Sequence, residues 1–168
     1  FNLKFDVISK TTLEDCEDFL DIYRMMTNRK NLTFNFSPQQ VFNLCSSDNF
    51  QLFFVSENGE RQAAIIIHKG NNEAGLLYAA TTKNALNTFA SFFMYNQLFK
   101  DLSEKGFISF DMEKLLPSTD AVNNVFLFKN GIQGTHLQLN GEWSWYKNSI
   151  FRQAMYFVKK YLMKKREL

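Results

Sequence analysis

The sequence predicts an α+β domain in α/β layers, a mixed and mostly antiparallel sheet flanked by helices. Three observations carry this. The runs "FQLFFVS", "RQAAIIIHK" and "AGLLYAAT" (50–56, 61–69 and 74–81) are apolar, of strand length, and separated only by "ENGE" and "GNNE". From Asn84 to Lys105 the apolar side chains switch to helical spacing. "FISFDM" at 107–112 then reads as a short strand, which a helical crossover sets parallel to the strand before the helix.

Each element has a local cause. Residues 13–26, "LEDCEDFLDIYRMM", put Leu13, Cys16, Phe19, Leu20, Tyr23 and Met26 at helical spacing, with acids in the first turns where the helix dipole favours them. A second, short helix starts at Ser37-Pro38, a side-chain cap followed by a residue whose missing N–H would be unpaired there anyway. Asn58-Gly59 tolerates left-handed backbone and predicts a tight hairpin between the first two strands. In the long helix Ala85, Phe89 and Phe93 form one row, and Leu86, Ala90, Met94, Leu98 and Leu102 the next, ending at Lys105-Gly106. Past Pro117, "DAVNNVFLFKNG" predicts a helix capped by Asp120 and stopped at Gly131. "GTHLQLNG" and "EWSWYK" read as closing strands, and the tail from about Ser149 as an amphipathic helix with Lys159, Lys160, Lys164, Lys165 and Arg166 towards its end.

At 168 residues and 45% hydrophobic the chain can bury the core of one domain, and no internal repeat or linker divides it. A net charge of +2 is too small to attract nucleic acid or anionic membrane over the whole surface, so any basic patch is local. The 19 phenylalanines accompany many asparagines and lysines, which points to codon bias before an aromatic binding surface. Cys16 and Cys45 lack C-x-x-C spacing and read as buried free thiols, with no metal site. No window has 18 consecutive apolar residues and no secretory leader is seen, so the expectation is a cytoplasmic protein, not transmembrane. The basic tail offers an optional contact with nucleic-acid phosphates or with the inner face of the membrane, against a solubilising helix end.

The order of elements resembles the GNAT superfamily of acyltransferases. In "LEDCEDFLDIYRMMTNRKN", "FFVSENGERQAAIIIH", "GLLYAATT", "EKGFISFDME" and "FLFKNGIQG", followed by "LNGEW", the chain is similar to the second GNAT-like domain of the FemABX family, aminoacyl-tRNA-dependent ligases of peptidoglycan bridges. Phe128-Lys129, Gly131, Gly134 and Asp111 are its distinctive matches, while Ile132 stands where an aromatic is usual. The family is built as a tandem of this fold. The resemblance therefore implies that residues 1–168 are a single GNAT-like domain, the C-terminal half of a longer protein with a second such domain upstream, and the opening Phe1 agrees with a fragment.

By that resemblance Lys129 and Phe128 belong to the aminoacyl-donor part of a catalytic site, the lysine compensating negative charge during transfer and the phenylalanine orienting it. The alternative for Lys129 is a solvated helix C-terminus. Asp111 is either a general base or a loop cap. Coenzyme A enzymes of this fold cradle pyrophosphate in a Gly-rich loop before the long helix, but "ATTKNALN" has no glycine. Thr81, Thr82 and Lys83 remain to hold a phosphate or to cap the helix, and Tyr78 and Glu142 are candidate substrate contacts or, respectively, a core tyrosine and an exposed acid. His68 and His136 lie on strand patterns without partners.

The expected function is transfer of an aminoacyl or acyl group onto an amine of a bacterial cell-envelope precursor. The alternatives are a non-catalytic recognition or scaffold domain of the same fold and a coenzyme A-dependent N-acyltransferase of surface polysaccharide synthesis. No tightly bound cofactor is expected; aminoacyl-tRNA or acyl-CoA would be a donor substrate.

Overall fold

The computed structural model describes residues 2–114, 124–137 and 148–158. The chain forms two compact units, Phe1–Gly131 and Ile132–Leu168. The first contains β1 (Leu3–Val7), α1 (Leu13–Arg29), α2 (Pro38–Cys45), β2 (Phe50–Glu57), β3 (Glu60–Lys69), β4 (Glu73–Thr81), α3 (Asn84–Asn87), α4 (Ala90–Glu104), β5 (Ser109–Asp111) and α5 (Asn124–Gly131). Its sheet has the order β1-β2-β3-β4-β5, antiparallel except for the parallel pair β4 and β5.

Local chemistry fixes the boundaries. Thr12 and Asp15 form a reciprocal capping box at α1, with Asp15 N donating to Thr12 Oγ1 (3.1 Å) and Thr12 N to Asp15 Oδ2 (2.9 Å). Ser37 and Gln40 repeat the device at α2, with Pro38 in its first turn. Asn58 (φ 52°) and Gly59 (φ 88°) both take left-handed backbone, so β2 and β3 close through the expected two-residue turn.

β2 and β3 are buried on both faces, which explains why their sequences are continuous apolar runs rather than alternations. On one face Leu52, Phe54, Ala64 and Ile66 meet Cys16, Phe19, Leu20, Ile22 and Met26 of α1 and Val41 of α2. On the other, Phe53, Val55, Ala63, Ile65 and Ile67 meet Ala90, Met94, Leu98 and Leu102 of α4. Burial pushes the Cys16 and Cys45 thiols up to about 11 and about 12 respectively; both are free.

Three features depart from the sequence reading. The chain begins with a strand: Leu3, Phe5 and Val7 alternate with polar residues and β1 pairs antiparallel with β2. The single long helix is instead two, because Phe89 adopts left-handed backbone (φ 55°, ψ 26°) between α3 and α4. The stripe Ala90, Met94, Leu98, Leu102 is buried as its spacing predicts, whereas Leu86 and Phe89 of the interrupted part face solvent. Finally, β3 and β4 shift register: Ile66 opposes Tyr78 and Ile67 opposes Leu76, leaving Leu77 as a bulge residue.

β5 is parallel to β4, as the helical crossover predicts. α5 starts at Asn124; Pro117 and the expected cap Asp120 lie outside the described residues. In the second unit residues 134–137 have no regular structure, and the remainder of the two expected closing strands lies outside the described residues. α6 (Ser149–Val158) is the predicted amphipathic helix; the basic cluster from Lys159 to Arg166 is also outside them.

Candidate functional site

β4 and β5 pair through Glu73 with Ser109, Ala74 with Phe110, and Gly75 with Asp111, and there β5 ends. β4 continues to Thr81 on its pairing with β3 alone. Among the described residues no strand joins its other edge beyond Gly75. Among the described residues β4 and β5 thus part company at the carboxyl end of β5, and open sheets with parallel strands receive ligands outside such strand ends.

The bulge works beside this parting. An extra residue in one strand turns successive side chains towards the same face. Leu77 and Tyr78 accordingly both pack on the α1/α2 side, while Leu76 and Ala79 pack on the α4 side. Tyr78 thereby closes a cycle of aromatic contacts. Its ring lies 5.9 Å from Tyr23 and 5.6 Å from Phe36, and Phe34 lies 4.1 Å from Tyr23 and 4.8 Å from Phe36. Beside this cycle is a cleft of about 280 Å³ between α1, α2 and β4. Burial, and then the neighbouring Tyr78 phenol, raise the Tyr23 pKa.

Lys129 does not float in solvent. It is half-buried, and its Nζ donates to the carbonyls of Met112 and Lys114 (3.0 Å to the latter), tying α5 to the segment after β5. Burial lowers its pKa, against the carboxylates of Glu113 and Asp111, which raise it. Phe128 packs on α4, 4.8 Å from Phe92 and 5.3 Å from Tyr95 between ring centroids. Asp111 Oδ1 accepts from Glu113 N (2.7 Å), the loop-capping geometry that was one of its two readings.

The segment before α4 is organised by Thr82. Its hydroxyl donates to Gln62 Oε1 (2.6 Å) and accepts from Ala85 N (3.1 Å) in the first turn of α3. Thr81 offers its carbonyl to Arg29 Nη2 (3.2 Å), and Lys83 is exposed. Glu142 lies outside the described residues. The structure thus gathers Asp111, Phe128 and Lys129 at the end of β5 and Tyr78 with Thr81 and Thr82 along β4, without a contact between the two groups.

Three features escaped the sequence reading. Thr88, 5% exposed, has a buried hydroxyl with no partner two residues before α4 begins. Phe89 beside it is held in a backbone conformation that glycine normally supplies. His68, set aside for want of partners, lies across Gly75 in the row Phe50, His68, Gly75, Asp111 that spans four strands. None has a local motif; the cross-strand row becomes visible only once register is known.

Among the described residues no group of histidine, cysteine and carboxylate side chains could hold a metal, and no helix is long and apolar enough to cross a membrane.

The structure is similar to solved N-acetyltransferases. An aminoglycoside acetyltransferase, meta-AAC0020, from an uncultured soil metagenomic sample, superposes with TM-score 0.64 at 14% identity, over 88% of this chain and 97% of that one. The ribosomal-protein-S18-alanine N-acetyltransferase of Escherichia coli gives 0.58 at 15% identity, over 79% and 76%. The PaiA N-acetyltransferase of Thermoplasma acidophilum, in complex with coenzyme A, gives 0.58 at 14% identity, over 77% and 89%. No protein-family model and no curated protein matches the sequence. The chain has the GNAT acetyltransferase fold, a five-stranded mixed sheet flanked by helices.

Proposed function

We propose that the chain transfers an acyl or aminoacyl group from an activated donor to an amine, where β4 and β5 part. The observation that carries this is the parallel pair that ends after three rungs, beyond which no strand among the described residues pairs with that edge of β4. An extended donor arm can hydrogen-bond to such an edge as an added strand would. The fold it shares with N-acetyltransferases that bind coenzyme A or acetylate amines supports the same reading.

In this reaction the acceptor nitrogen attacks the donor carbonyl and the N–C bond forms. The C–S bond of a thioester or the C–O bond of an aminoacyl ester breaks, and the amine proton leaves with the thiol or hydroxyl. Negative charge develops on the carbonyl oxygen between these events, and a fixed cation close by lowers the barrier. Lys129, fastened at the exit of β5, is the candidate for that charge, with Phe128 holding α5 in place on Phe92 and Tyr95. Asp111, whose Oδ1 is used by Glu113 N, is the candidate to relay the proton. A donor phosphate has a candidate seat at the start of α4, which no side chain caps and where the Thr88 hydroxyl is buried without a partner. Thr81, Thr82 and Lys83 would flank it on the β4 side.

The FemABX resemblance of "FKNG" and "FISFDM" supports aminoacyl-tRNA as the donor, an amine of a cell-envelope precursor as the acceptor, and a tandem GNAT-like partner domain. One observation favours the non-catalytic alternative: the Lys129 ammonium already donates to two carbonyls, as a purely structural lysine would.

Titration with acetyl-CoA and with an aminoacylated RNA minihelix, followed by mass spectrometry of an added amine, tests the reading. The expected outcome is binding and transfer from the minihelix, with acetyl-CoA no tighter than the millimolar range, roughly −4 kcal/mol. Micromolar acetyl-CoA binding would move the donor assignment to coenzyme A. No transfer from either donor would leave the recognition-domain reading.

A further inference from the structure

We infer that α6 is a membrane-surface helix, its apolar side lying in the headgroup layer of an anionic bilayer while the basic residues of its segment meet the lipid phosphates. This stands apart from the acyl-transfer reading and needs no part of it. α6 (Ser149–Val158) has no buried residue. Ile150 is 74% exposed and Phe151 64%, and Ala154 is exposed as well. At the helical repeat Ile150, Phe151, Ala154, Met155 and Val158 share one side of the helix, while Arg152 and Gln153 lie on the other. The corresponding side of α4, with Ala90, Met94, Leu98 and Leu102, is buried against the sheet, whereas that of α6 is left largely to water.

Charge names the occupant. Six of the chain's 19 basic residues and one of its 17 acids fall within residues 149–168, so that segment carries +5 and the other 148 residues −3. The six are Arg152, on the polar side of α6, and Lys159, Lys160, Lys164, Lys165 and Arg166, directly after the helix in sequence. Apolar side chains and positive charge in one short segment fit a surface that offers hydrocarbon beneath a layer of phosphate. Nucleic acid would neutralise the charges but leave Ile150 and Phe151 in water. A second copy of the segment would cover the apolar side only by setting +5 against +5. The helix lies along the bilayer and does not cross it: ten residues at about 1.5 Å each reach about 15 Å, half of the roughly 30 Å hydrocarbon core.

Sedimentation of the intact chain with lipid vesicles tests the inference. Phosphatidylglycerol and phosphatidylcholine in equal parts supply the anionic surface, phosphatidylcholine alone the neutral one, and a single-stranded RNA is the rival polyanion. The expected result is saturable binding to the anionic vesicles, at least about tenfold weaker on the neutral ones and weakened by added salt, which screens the headgroup attraction. Ile150→Ser together with Phe151→Ser leaves every charge in place and is expected to weaken binding by about tenfold or more. Lys164→Gln together with Lys165→Gln keeps the apolar side and is expected to weaken it by about 25-fold, about fivefold for each basic residue lost. Thermal melts establish that the variants fold, and the vesicle series on the parent chain decides the matter without them. Failure to bind anionic vesicles, or equal binding to neutral ones, overturns the inference. Unchanged binding in the serine variant also overturns it, because charge alone would then hold the chain at the surface. Tighter binding to the RNA than to the vesicles overturns it in favour of nucleic acid. Amine acylation without vesicle binding sinks the membrane seat and leaves acyl transfer standing.

Discussion

The imidazole of His68 lies directly over the backbone of Gly75: a Cβ placed on Gly75 would sit 2.3 Å from His68 Nε2. The two residues oppose each other across β3 and β4, and Gly75 is also the last residue of β4 paired with β5. The missing side chain at Gly75 is what lets the ring cross towards the strand that carries Asp111.

Gly75→Ala is therefore expected to turn the exposed His68 ring aside, with a change in stability within about 1 kcal/mol. In a His68→Ala background the same change should be neutral or stabilising, since alanine loses less backbone entropy than glycine in a strand. Denaturant unfolding of the four proteins of this double-mutant cycle measures the difference. Additive effects would show that the ring does not depend on the glycine.

Arg61 donates to Asp18 Oδ2 and Asp15 Oδ1, both at 2.7 Å, and its guanidinium stacks 3.9 Å above the Phe54 ring. Burial pushes the Asp15 pKa up, but the Thr12 hydroxyl and amide and then Arg61 outweigh it, and the carboxyl ends below its ordinary value of 3.8. A lowered folded pKa contributes stability that is complete above the unfolded value and is lost as pH falls through the folded one. Melting temperatures taken from about pH 6 to about pH 2.5 should fall more steeply in the parent than in Asp15→Asn, with the variant already lower at neutral pH. Parallel curves would contradict this.

Phe89 keeps its left-handed backbone although the residue is 62% exposed, so little packing offsets the strain. Phe89→Gly is expected to raise stability by about 1 kcal/mol. It should also admit phosphate closer to the start of α4, tightening acetyl-CoA binding by about tenfold. Calorimetric titration and thermal melts report the two effects separately.

Lys129→Met removes both bonds from α5 to the segment after β5, an expected loss of about 1–3 kcal/mol. If the charge also serves transfer, kcat should fall by about 100-fold at temperatures where the variant is folded, with KM little changed. Because burial lowers the lysine pKa, the parent should lose rate as pH rises through a value below the ordinary 10.5. A variant that is merely less stable would show no such alkaline limb.

Much of the fold was legible because its signals are local. Ser37-Pro38 and Asn58-Gly59 act within a few residues, and the α4 stripe repeats over four turns. β1 was missed because Lys4 and Asp6 make five residues look like a polar leader, although Leu3 and Phe5 pack on the core. The break at Phe89 was missed because the apolar period continues through it. The site was less legible for a related reason. Tyr23, Phe34, Phe36 and Tyr78 meet only through tertiary packing, and the bulge that aims Tyr78 is a property of its pairing with β3. Lys129 was singled out by resemblance, and its carbonyl partners had no signature at all.

β2 and β3 are stitched by eight residue pairs, but β5 is held to β4 by three. Amide protons of Phe110 and Asp111 should consequently exchange with deuterium far sooner than those of Ile65 and Ile66 at the centre of β3. Fraying of β5 would widen the space beside β4 while the other described strands stay assembled, and under the proposed function that would give a bulky donor a way in that needs no dedicated lid.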